Sequence, residues 1–282
     1  MTGLRKVGEW LSGGALRIVL TVIALLWLLP TAGLAVSSFR TPSDINSDGW
    51  WTAITRPSQL TADNYRSLFD NDRMISSLWN TVVITVPSVV LVVVVAAFAA
   101  YAFAWIEFPG RNALFLVVIA LLVVPIQMAL IPVARLYSDL GIFGDVIGVI
   151  LFHVAFGLPF AIFLLRNFFA GIPRELLEAA RMDGAGEFTV FFRVVAPLGF
   201  PAIASLAIFQ FLWVWNDLLV ALVFANPRSA PLTIAIRDQT RQFGSNIDVI
   251  GSGAFLSMIV PLIVFFAFQR YFVQGVLAGS SK

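Results

Sequence analysis

Glu178-Ala179-Ala180-Arg181-Met182-Asp183-Gly184-Ala185-Gly186, followed by Val194-Val195-Ala196-Pro197, is the stretch on which the reading of this chain turns. It is a charged, helix-compatible segment between two long apolar runs. Charged side chains gain nothing from packing in hydrocarbon, where they are costly. Such a segment suits docking at a membrane surface.

The flanking apolar runs belong to a set of six, at 18–36, 78–105, 113–133, 146–169, 200–224 and 255–272. Each is near the roughly 20 residues that cross a hydrocarbon core. Of 282 residues, 59% are hydrophobic and 12% charged, about half the charge of a soluble domain. The chain therefore reads as an all-α polytopic membrane protein with six transmembrane helices, one membrane domain over 1–282 and no soluble domain. Cysteine is absent, which removes disulfide and thiol chemistry. The single histidine, His153, lies inside the fourth run, and no His and carboxylate cluster has metal-ligand spacing. No metal site is expected. The net charge of +2 is too small to imply a nucleic-acid partner. Arg5, Lys6 and Arg17 precede the first run as in a signal peptide, but the run is longer than a secretory apolar region, so an uncleaved first span is expected.

Arginine and lysine placement sets the orientation. With the N-terminus inside, ten basic residues fall inside and eight outside. The short flanks decide it, because Arg166, Arg174, Arg181 and Arg193 all sit between the fourth and fifth runs. The opening segment, 170–198, is then cytoplasmic, as are both termini. Segments 40–77 and 226–250 are external. The first is rich in Ser, Asp, Asn and Pro, with Trp50 and Trp51 expected at the interface. Within it, 60–69 predicts a short amphipathic helix capped by Thr61, with Tyr65, Leu68 and Phe69 on one face. The second contains Pro227, Pro231 and Gly244 and reads as a structured loop. It is large enough to touch an external partner, and a solvated connector is the other reading. Pro87, Pro125, Pro132 and Pro159 lie inside spans and predict kinks or breaks.

The opening segment has its own punctuation. Pro173 fits a first helical position. Glu175 and Glu178 follow at the positive helix end. Leu176, Leu177 and Ala180 predict an apolar stripe, and Asp183-Gly184 predicts the stop. A second short helix over 188–195, closed by Pro197, would complete a helix–turn–helix under the membrane. Small Ala179, Ala180 and Ala185 would admit a partner backbone, with Arg and Glu setting the register. An ordinary interfacial connector is the bland alternative.

Glu178-Ala179-Ala180, Asp183-Gly184-Ala185, Pro197 and Pro201 resemble the "EAA" loop of type I ABC importer permeases. Val194 and Ala196 stand where that pattern has Ile and Leu. Gly157-Leu158-Pro159-Phe160, Trp215-Asn216-Asp217 and Gln269-Arg270-Tyr271-Phe272-Val273-Gln274-Gly275 are similar to the carbohydrate-uptake branch, in particular its MalG-like permeases. The resemblance runs from about Asn64 to the C-terminus. It implies a bacterial inner-membrane protein that forms a heterodimer with a second, homologous permease. A cytoplasmic ABC ATPase homodimer, which holds ATP and Mg, drives the pair by alternating access. An extracytoplasmic solute-binding protein delivers the sugar. Glu178, Ala179, Ala180, Asp183, Gly184 and Ala185 would be the ATPase-coupling residues, and Gln274 and Gly275 a C-terminal ATPase contact. Trp50-Trp51 after Ser47-Asp48-Gly49 resembles α-glucoside permeases, which implies a disaccharide or oligosaccharide such as an α-glucoside as the cargo. The residues agree that ATP is hydrolysed elsewhere. The only lysines, Lys6 and Lys282, follow Arg5 and Ser281, so no Gly-Lys-Ser/Thr phosphate loop exists. This chain is then not itself an enzyme and binds no cofactor.

Polar groups inside spans mark a candidate substrate path. Gln210, Trp213 and Asp217 follow i, i+3, i+7 in the fifth run, with Asn216 beside them. Indole rings and amides suit sugars, whereas interhelical hydrogen bonding is the competing reading. Gln127, between Pro125 and Pro132, is a further path candidate. Thr81, Thr85 and Ser88 share a face of the second run and read as helix packing. His153 reads as a satisfied buried imidazole, and Arg166 as a mark of the cytoplasmic membrane edge. An ion-coupled secondary transporter would need charged relays, yet Asp217 is the one clear intramembrane carboxylate. A membrane enzyme would need a nucleophile–base or metal constellation, and none is visible. An ABC permease for a non-sugar solute stays open.

Overall fold

A computed structural model describes the backbone of residues 2–242 and 247–280, and the side chains of 14–239 and 250–270. The chain is all-α, and the described residues contain no strand. In order the helices are α1 (Thr2–Ser38), α2 (Pro42–Ser47), α3 (Thr52–Thr55), α4 (Asp63–Phe69), α5 (Asp72–Trp105), α6 (Arg111–Leu121) and α7 (Ile126–Asp139). They continue as α8 (Val146–Phe169), α9 (Arg174–Met182), α10 (Glu187–Val190), α11 (Ala196–Trp215), α12 (Leu219–Phe224), α13 (Leu232–Gln242) and α14 (Ile247–Ser280). Among the described residues, five helices are long and apolar enough to cross a membrane, or six if α6 and α7 form one span.

Two expected spans differ from the observed ones. The run 113–133 is not one rod: α6 and α7 meet at 100°. Pro125 takes an extended backbone just before α7, and it cannot donate to the preceding turn while it disfavours helical backbone at Val124. Pro132, by contrast, stays inside α7. The fifth span begins earlier and ends sooner than 200–224. It runs Glu187–Trp215, and residues 216–218 then interrupt it before α12. Asn216 Nδ2 turns back onto the Leu212 carbonyl at 2.8 Å. The Asp217 carboxylate accepts from the N–H groups of Val220 and Ala221 at 3.3 and 3.0 Å. Short polar side chains that satisfy backbone groups in this way favour helix ends.

The chain forms two compact units. One comprises residues 1–71 and 238–256. In it Arg40 is buried and makes four hydrogen bonds, to Gln59 Oε1, the Asp48 and Asp44 carbonyls and Thr52 Oγ1, at 2.9–3.2 Å. Asn64 Nδ2 donates to the carbonyls of Ser38 and Arg40 at 3.0 and 2.7 Å. Residues between α1 and α4 are thus folded round a guanidinium. The expected helix over 60–69 starts later, at Asp63. Thr61 lies two residues ahead, accepting from the Asp63 N–H at 3.1 Å. Asn64 and Leu68, at i and i+4, are the buried pair, and Phe69 is exposed, since it sits one residue, about 100°, off that face. Trp51 is exposed, whereas Trp50 packs on Gly33.

The other unit comprises 72–237 and 257–282. Its centre is α5 against α8, with α11 packed on both. Ser77, Thr81, Thr85, Ser88, Val92, Ala96 and Ala100 form the buried stripe of α5. Gly157, Ala161 and Leu165 continue it on α8. Small residues at this spacing let helices approach closely in lipid, where apolar burial alone gives no drive. Gly199 of α11 fits the same logic, since a Cβ there would lie 2.4 Å from Phe169 Cε1. Thr81 Oγ1 donates to Ser77 O at 2.9 Å and accepts from the Leu232 N–H at 2.8 Å. Asn80 Nδ2 donates to Arg228 O and Ala230 O at 2.8 and 3.1 Å. These bonds pin the segment after α12 onto α5.

Candidate functional site

The opening segment folds as a short amphipathic helix with a defined stop. Pro173 is the residue before α9 rather than its first member, with an extended backbone. The Glu178 carboxylate accepts from Arg174 Nε at 2.7 Å, one turn back. At the far end, the Ala185 N–H donates to Ala180 O and the Gly184 N–H to Arg181 O, both at 3.0 Å. This 6→1 and 5→2 pair defines a Schellman stop, with Gly184 in the left-handed region at φ +82°. Glycine is needed here because a Cβ penalises that backbone.

The expected apolar stripe is split. Leu177 is fully buried and Ala180 packs beside it, but Leu176 is exposed and Met182 is 87% exposed. Glu178, Ala179, Asp183 and Gly184 are exposed with them, and Ala185 is half-buried. The expected second helix over 188–195 is not closed by Pro197. Instead α10 passes through a π turn, Phe191–Val195, straight into α11. The Ala196 N–H reaches back to Phe191 O. The wide turn takes up the register shift next to a proline that lacks its own donor.

A clamp not foreseen from sequence ties this segment to the spans. Arg181 Nε and Nη2 donate to the two carboxylate oxygens of Glu187, each at 3.1 Å. Tyr101 Oη, near the end of α5, donates to Glu187 Oε2 at 2.5 Å. The Glu187 hydrogen bond holds the Arg181 pKa above its ordinary value, with partial burial opposing. Trp105 Nε1 donates to Phe169 O at 3.0 Å. Phe98 meets Phe188, Phe191 and Phe192 with ring centroids 6.4, 4.7 and 5.9 Å away. The signal in the sequence was faint: Arg181 and Glu187 flank the Asp183-Gly184 turn, and Tyr101 is a lone phenol in an alanine-rich run.

The path candidates separate. Gln210 and Trp213 line a cleft of about 280 Å³ between α8 and α11, with Phe156, Gly157, Phe160 and Phe209. Asp217 lies beyond the end of α11. Its Oδ2 is 3.7 Å from His153 Nε2. The His153 and Trp213 rings meet edge-on with centroids 5.3 Å apart. The imidazole is buried, but its Nδ1 has no partner, so it is not the fully satisfied core histidine expected. Asn216 and Gln127 are exposed and outside this cleft, Gln127 near the start of α7. Thr81, Thr85 and Ser88 are buried in packing as expected, though Thr85 Oγ1 has no partner. Arg166 lies over the Phe115 ring at 4.7 Å. Gln274 and Gly275 fall in α14, and their side chains are outside the described residues.

The profile described as "Binding-protein-dependent transport system inner membrane component" matches residues 73–278. The chain belongs to that family. This permease is 48% identical to the osmoprotective compounds uptake permease protein GgtD of Synechocystis sp., over 95% of this chain and 91% of that protein. It is also 48% identical to the alpha-glucoside transport system permease protein AglG of Rhizobium meliloti, over 87% and 68% of the two. It is 34% identical to the trehalose transport system permease protein SugB of Mycobacterium tuberculosis, over 99% of each. In fold, the permease matches a chain of a bacterial ABC transporter that imports the acidic polysaccharide alginate. That match has TM-score 0.79 and 22% identity, over 94% of this chain and 98% of that one.

Proposed function

We infer that this permease is a subunit of an ABC importer for a sugar, an α-glucoside or related oligosaccharide, and that residues 178–185 are the joint by which a separate ATPase moves it. The observation that carries the joint is the two-sidedness of α9. Leu177 is anchored and fully buried, while Glu178, Ala179, Met182 and Asp183 are exposed beside a Schellman stop. An exposed apolar and acidic face on a firmly held helix suits helix-in-groove docking. The names of the relatives support the sugar, and family membership supports an external binding protein.

The remaining parts follow from this reading. A second permease completes the membrane path. An ATPase homodimer holds ATP and magnesium on the cytoplasmic side, where both termini and α9 lie. Gln274 and Gly275 add a C-terminal contact to it. The path opens alternately to each side, and the segments 40–77 and 226–250 face the binding protein.

The test is Glu178→Lys in the assembled transporter in proteoliposomes. We expect ATP hydrolysis stimulated by sugar-loaded binding protein to fall to the unstimulated level, while membrane insertion is unchanged. Normal sugar uptake by this variant would overturn the role of the joint.

A further inference from the structure

We propose that the cleft between α8 and α11 is a sugar subsite carried by this subunit itself, taking one pyranose ring at the middle of the membrane. The proposal rests on the reading that the cargo is a sugar. Its walls are Phe156 and Phe160 from α8 and Phe209 and Trp213 from α11, with Gln210 and Gly157 between them. Gly157 is the twelfth residue of the 24-residue α8. The cleft therefore sits near the midpoint of that span.

Three observations point to a hydroxylated ring rather than to lipid. First, Gln210 is 3% exposed and its Nε2 has no hydrogen-bond partner. An orphaned amide in hydrocarbon is costly, and polar groups at this depth mark transport paths. Second, the amide rests where Gly157 has no side chain, and a Cβ there would lie 2.7 Å from Nε2. The glycine makes room for the amide at the edge of the cleft. Third, Phe160, Phe209 and Trp213 are exposed at 42%, 38% and 37%. Aromatic faces receive the apolar C–H face of a sugar while an amide bonds its hydroxyls. The volume of about 280 Å³ lies just below the usual span for drug-sized ligand pockets, which fits one ring rather than a chain of rings.

The platform is also held in place. The His153 ring abuts Trp213 edge-on, and His153 Nε2 faces Asp217 Oδ2. Asp217 in turn caps the start of α12. His153 and Asp217 are thus positioning residues, and neither lines the cleft.

The test uses the complete transporter with its binding protein in proteoliposomes, and radiolabelled maltose and trehalose as probes. Gln210→Leu should keep ATP hydrolysis stimulated by loaded binding protein, which reports assembly. It should lower uptake of the better probe roughly 5–10-fold, the size expected for losing one or two hydrogen bonds to a ligand. Trp213→Ala should do the same, and Trp213→Phe should restore uptake to within about twofold of wild type, because a ring remains to stack on. Wild-type uptake by both Gln210→Leu and Trp213→Ala would overturn the subsite and leave the sugar reading standing. Equal losses in Trp213→Phe and Trp213→Ala would overturn stacking, and with it the proposal. Uptake of neither probe by the wild type, with alginate and arabino-oligosaccharide also refused, would overturn the sugar reading and the subsite together.

Discussion

Replacing Glu187 by Ala cuts the clamp between α9, the fifth span and α5. The carboxylate accepts two N–H groups of Arg181 at 3.1 Å and the Tyr101 hydroxyl at 2.5 Å. The Arg181 and Glu187 side chains are 34% and 46% exposed, so the ion pair contributes about 0.2–1 kcal/mol. The phenol bonds a charged acceptor, worth up to about 1.5–3 kcal/mol when buried. Half-exposure of the carboxylate reduces that to roughly 1 kcal/mol. The sum is ~1–2 kcal/mol, or about 5–30-fold in an equilibrium between clamped and released loops. A released loop still docks and still permits ATP hydrolysis, but its motion reaches the spans less often. We expect stimulated ATPase activity within about twofold of wild type and fewer sugars imported per ATP, by a factor of at most about 5–30. Both are read from one proteoliposome preparation. Tyr101→Phe should lose less alone and almost nothing further in the Glu187→Ala background, because the two share one bond. A wild-type ratio of sugar to ATP in Glu187→Ala, or additive losses in the double variant, would refute the reasoning.

Other consequences follow from single sites. Gly184→Val places a β-branched residue at φ +82°. It should cost about 1–2 kcal/mol and weaken co-purification of the ATPase, while Gly184→Asn should be milder. Gly199→Ala brings a methyl against the Phe169 ring and should destabilise the bundle by about 1–3 kcal/mol, read as a lower unfolding temperature in detergent with unchanged helix content. Arg40→Met removes four donors from Gln59, Thr52 and two carbonyls. Their loss should make residues 40–70 sensitive to protease at temperatures where wild type resists, and Arg40→Lys should rescue this only in part, since an ammonium lacks the planar fork.

The spans were legible because hydropathy over about 20 residues is a bulk property. A window average does not report direction, so the 100° turn between α6 and α7 was beyond it. Pro125 and Pro132 carry the same local rule, yet one begins a new helix and the other stays inside it. Hydropathy carries the fifth run too far because Asp217 keeps the helical phase of Gln210 and Trp213, whereas the Asn216 and Asp217 side chains bond the backbone where the helix ends. The stop at Gly184 was readable, since its chemistry is local. The clamp was not, because Tyr101 and Glu187 are 86 positions apart. The cleft was half legible: Gln210 and Trp213 announced themselves as polar or amphipathic groups in an apolar run, whereas Phe156, Phe160 and Phe209 looked like any lipid-facing ring.

The π turn over Phe191–Val195 stores slack. A π turn closes its ring over five residues instead of four, so one residue is held in reserve within a continuous helix. Removing that reserve, by tightening the turn to α-helical pitch, would rotate the α10 side by about 100° and shift it by about 1.5 Å relative to α11. The fifth helix therefore carries, between its α10 and α11 parts, one place where register can change without a break in the helix. Glu187 stands on the α10 side of that turn, so its bonds to Tyr101 and Arg181 fix the one end of the helix that the slack would otherwise let move.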